Sequence, residues 1–163
     1  MWSLPFPVRG GNIRELRPFL NTRDADFVLD VGWLLGTLRL ARSYPPLCIV
    51  GGADRAKTTG LKVRQGLIDP NFVEVRPFKT MDDMFIATLY CWISAYDNIR
   101  KMPADISDAI AMIATGTGYG KRQLRTDADQ FMFRVARPIL LGGIPVDLAD
   151  RDDLGVELGS LRL

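Results

Sequence analysis

The stretch Leu47-Cys48-Ile49-Val50-Gly51-Gly52-Ala53-Asp54-Arg55-Ala56-Lys57-Thr58-Thr59 decides how the rest of the chain is read. Its first four residues are apolar and are bounded by Pro45-Pro46 on one side and Gly51-Gly52 on the other. A short apolar run between breakers reads as a strand buried on both faces. Lys57 to Ile68 reads as a helix, with Leu61, Leu67 and Ile68 on its apolar side, and Asp69-Pro70-Asn71 stops it. The segment between strand and helix approaches the phosphate-loop pattern of Gly, four free residues, then Gly-Lys-Ser/Thr. Gly51, Lys57 and Thr58 match, and Ala56 stands where the second Gly is expected. Such a loop turns successive backbone N–H groups toward one phosphate at a helix N-terminus, whose dipole favours an anion. In that role Gly51 through Thr59 (Gly51, Gly52, Ala53, Asp54, Arg55, Ala56, Lys57, Thr58 and Thr59) surround the phosphates. Lys57 reaches the outer phosphates, and the Thr58 hydroxyl binds Mg²⁺. Alanine at 56 is the smallest departure from glycine, although its Cβ disfavours positive φ. Asp54 is repulsive to phosphate unless it points outward, and Arg55 offsets it. The plainer alternative is a Gly-rich turn with a surface lysine.

A second acidic landmark lies downstream. Cys91-Trp92-Ile93-Ser94-Ala95-Tyr96 reads as another buried strand, ending in Asp97-Asn98. A carboxylate at the end of a hydrophobic strand is where phosphate-loop proteins hold Mg²⁺. Asn98 follows it. An amide can orient a water molecule but cannot take its proton, so slow hydrolysis is the expectation. The plain alternative is an Asp that caps the next turn.

The remaining elements follow from the same kind of reading. Ile13 to Phe19 is a short helix. Asn21-Thr22-Arg23-Asp24 supplies caps for a second helix, in which Phe27, Val28, Val31, Leu34, Leu35 and Leu38 recur at helical spacing. Phe72 to Val75 is a candidate strand. Thr80 caps a helix from Met81 to about Tyr90, with Asp82 and Asp83 in its first turn. Pro103 opens a helix through Ile113. Gly116 to Gly120 is a turn-rich loop, and Gln123 to Val135 forms a hairpin or extended arm. Pro138-Ile139-Leu140-Leu141 is a third buried strand, closed by Gly142-Gly143. Strands alternating with helices imply an α/β fold, a three-layer phosphate-loop domain with a mostly parallel sheet. Residues 1–46 form a helical lead and 47–163 the core of one structural domain.

Composition narrows the chemistry. The chain has 163 residues, 47% hydrophobic and 25% charged, which suits a globular domain with a sizeable core. The formal net charge of +2 decides little about partners. There is no histidine, which removes histidine-based nucleophilic catalysis. Cys48 and Cys91 sit in apolar runs and read as buried free thiols. Neither a signal peptide nor a membrane span is expected, and the protein reads as cytoplasmic. Tyr119, Lys121, Arg122 and Arg125 place basic groups beside an aromatic, a combination that can hold a single-stranded nucleic acid backbone and stack a base. The plain alternative is a solvated turn.

In this order, the segments resemble the helicase-like ATPase domains of phage and mobile-element proteins, often fused to a primase–polymerase domain. The similar segments are Glu15 to Asn21, Gly51 to Thr59, Leu67 to Pro70, Trp92 to Asn98, Ser107 to Ile110, Ala114 to Tyr119, Arg137 to Leu141 and Gly143-Ile144. That family commonly has Ala before the loop lysine and Asp-Asn at the end of the acidic strand, as at Ala56 and at Asp97-Asn98. It usually has Gly where Asp54 stands, Asn where Gly142 stands, and an Arg where Glu157 stands. Arg151 is the nearest substitute for that trans-acting arginine. The resemblance implies an ATP- and Mg²⁺-binding motor that assembles as a ring, with itself or with an intact homologue, on DNA. Lys57, Asp97 and Asn98 would carry catalysis, and Thr58 and Asp97 the metal. Two other readings stand beside it. One is a degenerate module that binds nucleotide or partner subunits without hydrolysis. The other is a small phosphate-loop kinase using Lys121, Arg122 and Arg125 as a lid.

Overall fold

In chain order, a 3-10 helix (Ile13–Phe19) and α1 (Asp24–Thr37) precede β1 (Leu47–Val50) and α2 (Lys57–Ile68). Then come α3 (Met81–Tyr90), β2 (Ser94–Ile99), α4 (Ala104–Thr115), β3 (Tyr119–Arg122), β4 (Gln130–Phe133), β5 (Ile139–Gly143) and β6 (Gly159–Arg162). The computed structural model describes residues 6, 8–41, 43–51, 56–70, 75–99, 101–122, 130–143 and 159–162.

The main sheet is parallel and four-stranded, in the order β2-β5-β1-β6. β1 lies between β5 and β6, with Ile49 opposite Gly142 on one side and Leu161 on the other. Its four residues are buried, as the unbroken apolar run requires. Arg76 adds a single parallel bridge to Tyr96 outside β2. The strand expected at Phe72 to Val75 falls mostly outside the described residues, and Val75 itself is not in a strand. β3 and β4 pair antiparallel as a separate two-stranded sheet, so of the Gln123 to Val135 segment only β4 is a described strand, and its partner lies before that segment.

Helices cover both faces of the sheet. Met84 and Phe85 of α3, with Ile106, Ile110 and Ile113 of α4, pack on Cys48, Val50, Tyr96, Ile139 and Leu141. On the other face Trp33 and Leu34 of α1, with Leu61 of α2, pack on Leu47, Ile49, Ile93, Ala95 and Leu140. The alternation of strand side chains explains the split, since neighbours along a strand point to opposite faces. An α/β fold with a parallel sheet is therefore present.

Several local expectations are corrected. α1 is turned relative to its apolar periodicity. It buries Asp30, Trp33, Leu34 and Thr37, and exposes Val28, Leu35 and Leu38. Trp33 sets this rotation: its ring enters the core and its indole N–H donates to Pro45 O at 2.8 Å. The helix is not capped by a side chain of the Asn21–Asp24 segment. Instead Arg17 donates to Leu20 O (2.8 Å), Thr22 O (2.6 Å) and the Asp24 carboxylate (2.7 Å), holding the turn from outside. In α2 Leu67 is exposed, while Arg64 and Gln65 are buried. β2 begins at Ser94, because Asp69 accepts the amides of Trp92 (2.6 Å) and Ile93 (3.1 Å) and holds that segment outside the ladder. β5 runs on through Gly142 and Gly143, and Tyr119-Gly120 belong to β3. By contrast, α2 and α3 have the expected limits, and Thr80 Oγ1 accepts from Asp83 N at 3.2 Å as an N-cap.

Candidate functional site

The site begins where β1 hands over to α2. Gly51 is buried at the strand end, and Ala56 directly precedes the helix with φ 54° and ψ 27°. This is the left-handed region that the Cβ of alanine resists. Ala56 O nonetheless accepts from Gly60 N at 2.8 Å, so the turn feeds straight into the helical ladder. Lys57 Nζ donates to Gly51 O at 3.0 Å and ties the two ends of the loop together. Thr58 and Thr59 are exposed on the first turn of α2. Gly52, Ala53, Asp54 and Arg55 lie outside the described residues.

Asp97 approaches from β2. The β2–β5 register shifts between Tyr96 and Ile99, which sets Asp97 and Asn98 at an irregularity in the ladder. Such a bulge resets the alternation of side chains and re-aims those within it. Asp97 faces α2 by the ordinary alternation that follows Tyr96, and the irregularity brings Ile99 back to the α3–α4 core. Asn98 takes φ 60°, a conformation that asparagine tolerates better than most residues. Its backbone N–H donates to Asp97 Oδ1 at 2.7 Å, which orients the carboxylate. The other oxygen, Oδ2, accepts from the Thr58 hydroxyl. Helix α2 and strand β2 are thus joined side chain to side chain, although in the sheet β5 separates β2 from β1, the strand that leads into the loop.

That contact passes over Gly142. A Cβ built there would lie 2.6 Å from Asp97 Oδ1 and 2.7 Å from Leu61 Cδ1, well inside van der Waals contact. The missing side chain is what leaves room for the carboxylate to reach Thr58. Reading the sequence as lacking an asparagine at this position overlooked that steric role. The signal was present in a Gly-Gly pair at the end of a buried run.

Two further supports are visible only in three dimensions. Arg76 brackets the acidic strand with its backbone: its N–H donates to Ala95 O and its C=O accepts from Asp97 N, each at 3.1 Å. Arg64 of α2 is fully buried against Asp30 of α1, both at 0% exposure. It donates to both Asp30 oxygens, Nε at 2.7 Å, and to Gly60 O at 2.8 Å. A Cβ on Gly60 would sit 2.9 Å from Arg64 Nη1, so glycine there makes room for the guanidinium. The clue was an Asp inside an apolar helix, and it gained meaning only once its partner was placed.

Thr58 and Asp97 offer hard oxygen donors at one point, which suits a divalent cation such as Mg²⁺. Asp97 is 8% exposed, and among the described residues no cation is paired with it. A buried carboxylate in that situation favours a positive ligand. Asn98 is exposed beside it. Tyr119, Lys121 and Arg122 lie on β3, away from the β1–α2 loop in sequence, and Arg125 and Arg151 lie outside the described residues. Cys48 and Cys91 are buried thiols, not joined in a disulfide, as expected. Burial pushes the Cys48 thiol up to about 12 and raises that of Cys91 as well. Among the described residues no helix is long and apolar enough to cross a membrane.

Fold and site together define an α/β protein whose parallel sheet brings a strand–loop–helix unit and a strand-end carboxylate into contact. The family model for the actinomycete integrative conjugative element replication protein matches residues 13–163. The chain belongs to that family, and with it to mobile-element replication. No curated protein matches the chain.

Proposed function

We propose that this chain is a Mg²⁺-dependent ATP-binding module of the helicase-like kind, with a slow hydrolytic activity that serves DNA replication of the mobile element. The observation that carries the proposal is the contact between Thr58 and Asp97 at the start of α2. In phosphate-loop proteins the corresponding hydroxyl and carboxylate share one metal ion. When bound, the ion neutralises charge on the β- and γ-phosphate oxygens. Lys57 is held at the loop by Gly51 O and exchanges that partner for phosphate oxygens. The Gly51–Thr59 amides and the α2 dipole receive the anion. Asp97, fixed by the Asn98 backbone N–H, keeps its second oxygen toward Thr58. Asn98 orients water but cannot take its proton, so hydrolysis is slow. Assembly into a ring, with Arg151 reaching a neighbouring site and the Tyr119–Arg125 arm touching single-stranded DNA, completes the proposal.

A second reading, nucleotide binding without turnover, is favoured by Asn98 in place of a carboxylate and by Gly142, which presents no side chain. Calorimetry with Mg²⁺ and ATP on the wild type and on Lys57→Ala, with phosphate release followed in the same samples with and without single-stranded DNA, separates the two. Binding that depends on Lys57, with release stimulated by DNA, supports the motor. Binding without release supports the second reading, and absence of binding in the folded wild type overturns both.

A further inference from the structure

The face of β2 opposite Asp97 carries a feature that the nucleotide reading leaves unused. Between α3 and the Arg76 segment lies a cavity of about 450 Å³. This is within the size range of small-molecule sites, roughly 300–1,000 Å³. Its lining includes Arg76, Lys79, Met84, Ile86, Tyr90 and Tyr96. Tyr96 is only 2% exposed, yet its hydroxyl is buried without a hydrogen-bond partner. Arg76 Nε is a second buried donor in the same condition. Native proteins seldom leave such groups unsatisfied, and each one calls for an explanation.

Ser94 Oγ, two residues before Tyr96 on the same face of β2, is a third buried group without a partner; it is close enough to draw the Tyr96 phenol downward but does not complete a hydrogen bond with it. The Arg76 guanidinium uses Nη2 on Cys91 Sγ at 3.2 Å, which leaves Nε aimed elsewhere. Phe78 stacks on the Tyr96 ring, with centroids 4.9 Å apart, and fixes the direction of the hydroxyl. Asp83 also lines the cavity, but its carboxylate is engaged by Thr80 Oγ1 at 2.9 Å. The lining therefore carries two cations, Arg76 and Lys79, against one carboxylate, Asp83, a balance of one positive charge. Burial raises the Tyr96 phenol to about 12, so it stays a proton donor at neutral pH.

We propose that this cavity is a second ligand site, which takes a small amphiphilic monoanion with a carboxylate on an apolar body. The carboxylate oxygens accept from Arg76 Nε and the Tyr96 hydroxyl, with Lys79 at the mouth. The apolar body lies on Met84, Ile86 and Tyr90. An acceptor suits both orphan atoms, since Arg76 Nε can only donate and the Tyr96 hydroxyl can donate, and a single charge matches the balance of the lining. The site is independent of the nucleotide reading, since Tyr96 and Asp97 are consecutive residues whose side chains serve opposite faces of the sheet.

The test uses the full chain and 1-naphthoate as the probe, followed by calorimetry, with 1-naphthalenemethanol as the neutral match. The expected result is saturable binding of 1-naphthoate at one site per chain, with the alcohol weaker by about tenfold, as the loss of a charge-assisted hydrogen bond implies. Tyr96→Phe is expected to weaken naphthoate roughly fivefold without lowering the melting temperature, since the hydroxyl it removes has no partner to lose. Arg76→Met is expected to remove binding. If that variant fails to fold, Tyr96→Phe decides the matter. Lys57→Ala is expected to leave naphthoate binding unchanged. Absence of saturation, equal binding of the alcohol, an unaffected Tyr96→Phe variant, or loss of binding in Lys57→Ala overturns the proposal.

Discussion

Gly142 and Asp97 occupy touching space: the position a Cβ would take on the one lies 2.6 Å from Oδ1 of the other. β5 separates β1 from β2, so the Asp97 carboxylate reaches Thr58 across the backbone of Gly142. Gly142→Ala should therefore move Asp97 or Leu61 and cost about 1–3 kcal/mol of stability, as overpacking does. Chemical denaturation measures that cost. Under the proposed function, affinity for Mg²⁺ and ATP should fall as well. A variant with wild-type stability would show that the carboxylate has room to retreat.

Asp97→Asn keeps the shape of the side chain and removes its charge. If Asp97 helps to hold a divalent ion, the gain in ATP affinity that Mg²⁺ brings should vanish in the variant, while metal-free binding persists. Calorimetry with and without Mg²⁺ reads both quantities. An undiminished gain in the variant would place the metal elsewhere.

The Asp30–Arg64 pair joins α1 to the helix that follows the loop, with both side chains fully buried. Asp30→Ala leaves an uncompensated guanidinium in the core and should cost about 3–5 kcal/mol. Replacing both partners, Asp30→Leu with Arg64→Met, should recover most of the loss, because no charge is then stranded. Urea titration of the two variants and the wild type measures both changes. A double variant no more stable than Asp30→Ala would mean that the pair contributes more than charge compensation.

Ala56 adopts a left-handed backbone at φ 54°. Ala56→Gly removes the Cβ conflict and should raise stability by about 1 kcal/mol, a gain reduced by the greater freedom of glycine in the unfolded chain. A melting temperature that falls instead would indicate that the alanine methyl makes a contact worth more than the strain.

Stability should decline at high pH. The Cys48 thiol is raised by burial from 9.0 to about 12, and the Tyr96 phenol, chiefly for the same reason, from 10.0 to about 12. Both groups are neutral when protonated, so folding favours the bound proton. Their contribution is complete below the unfolded values and is lost as pH rises toward the folded ones, by up to roughly 1.4 kcal/mol per pH unit for each group. Denaturation midpoints at pH 8, 9.5 and 10.5 test the trend, and Cys48→Ala should flatten it between 9 and 10.

Much of this architecture could be read along the chain. The run Leu47–Val50 between breakers marked the central strand, Thr80 with Asp82 and Asp83 marked the start of α3, and Lys57–Ile68 marked α2. These are local signals, in which a residue's type constrains its own backbone or that of a neighbour one turn away. The apolar spacing of α1 misled, because Val28, Leu35 and Leu38 are exposed while Asp30 is buried. Periodicity reports that a helix has an apolar stripe, but the depth of each residue depends on the partner it meets. Asp30 goes inside because Arg64 does.

The candidate site divides along the same line. The strand and helix that flank the loop, with Lys57 and Thr58 at the helix start, were legible along the chain, as was an acid at the end of a second buried strand. That Asp97 meets Thr58, and that Gly142 clears its way, was settled by the tertiary fold. The contact spans 39 positions along the chain and crosses an intervening strand that comes later still in the sequence. Nothing local to any of these residues encodes such a meeting. It is fixed by the order in which the strands pair.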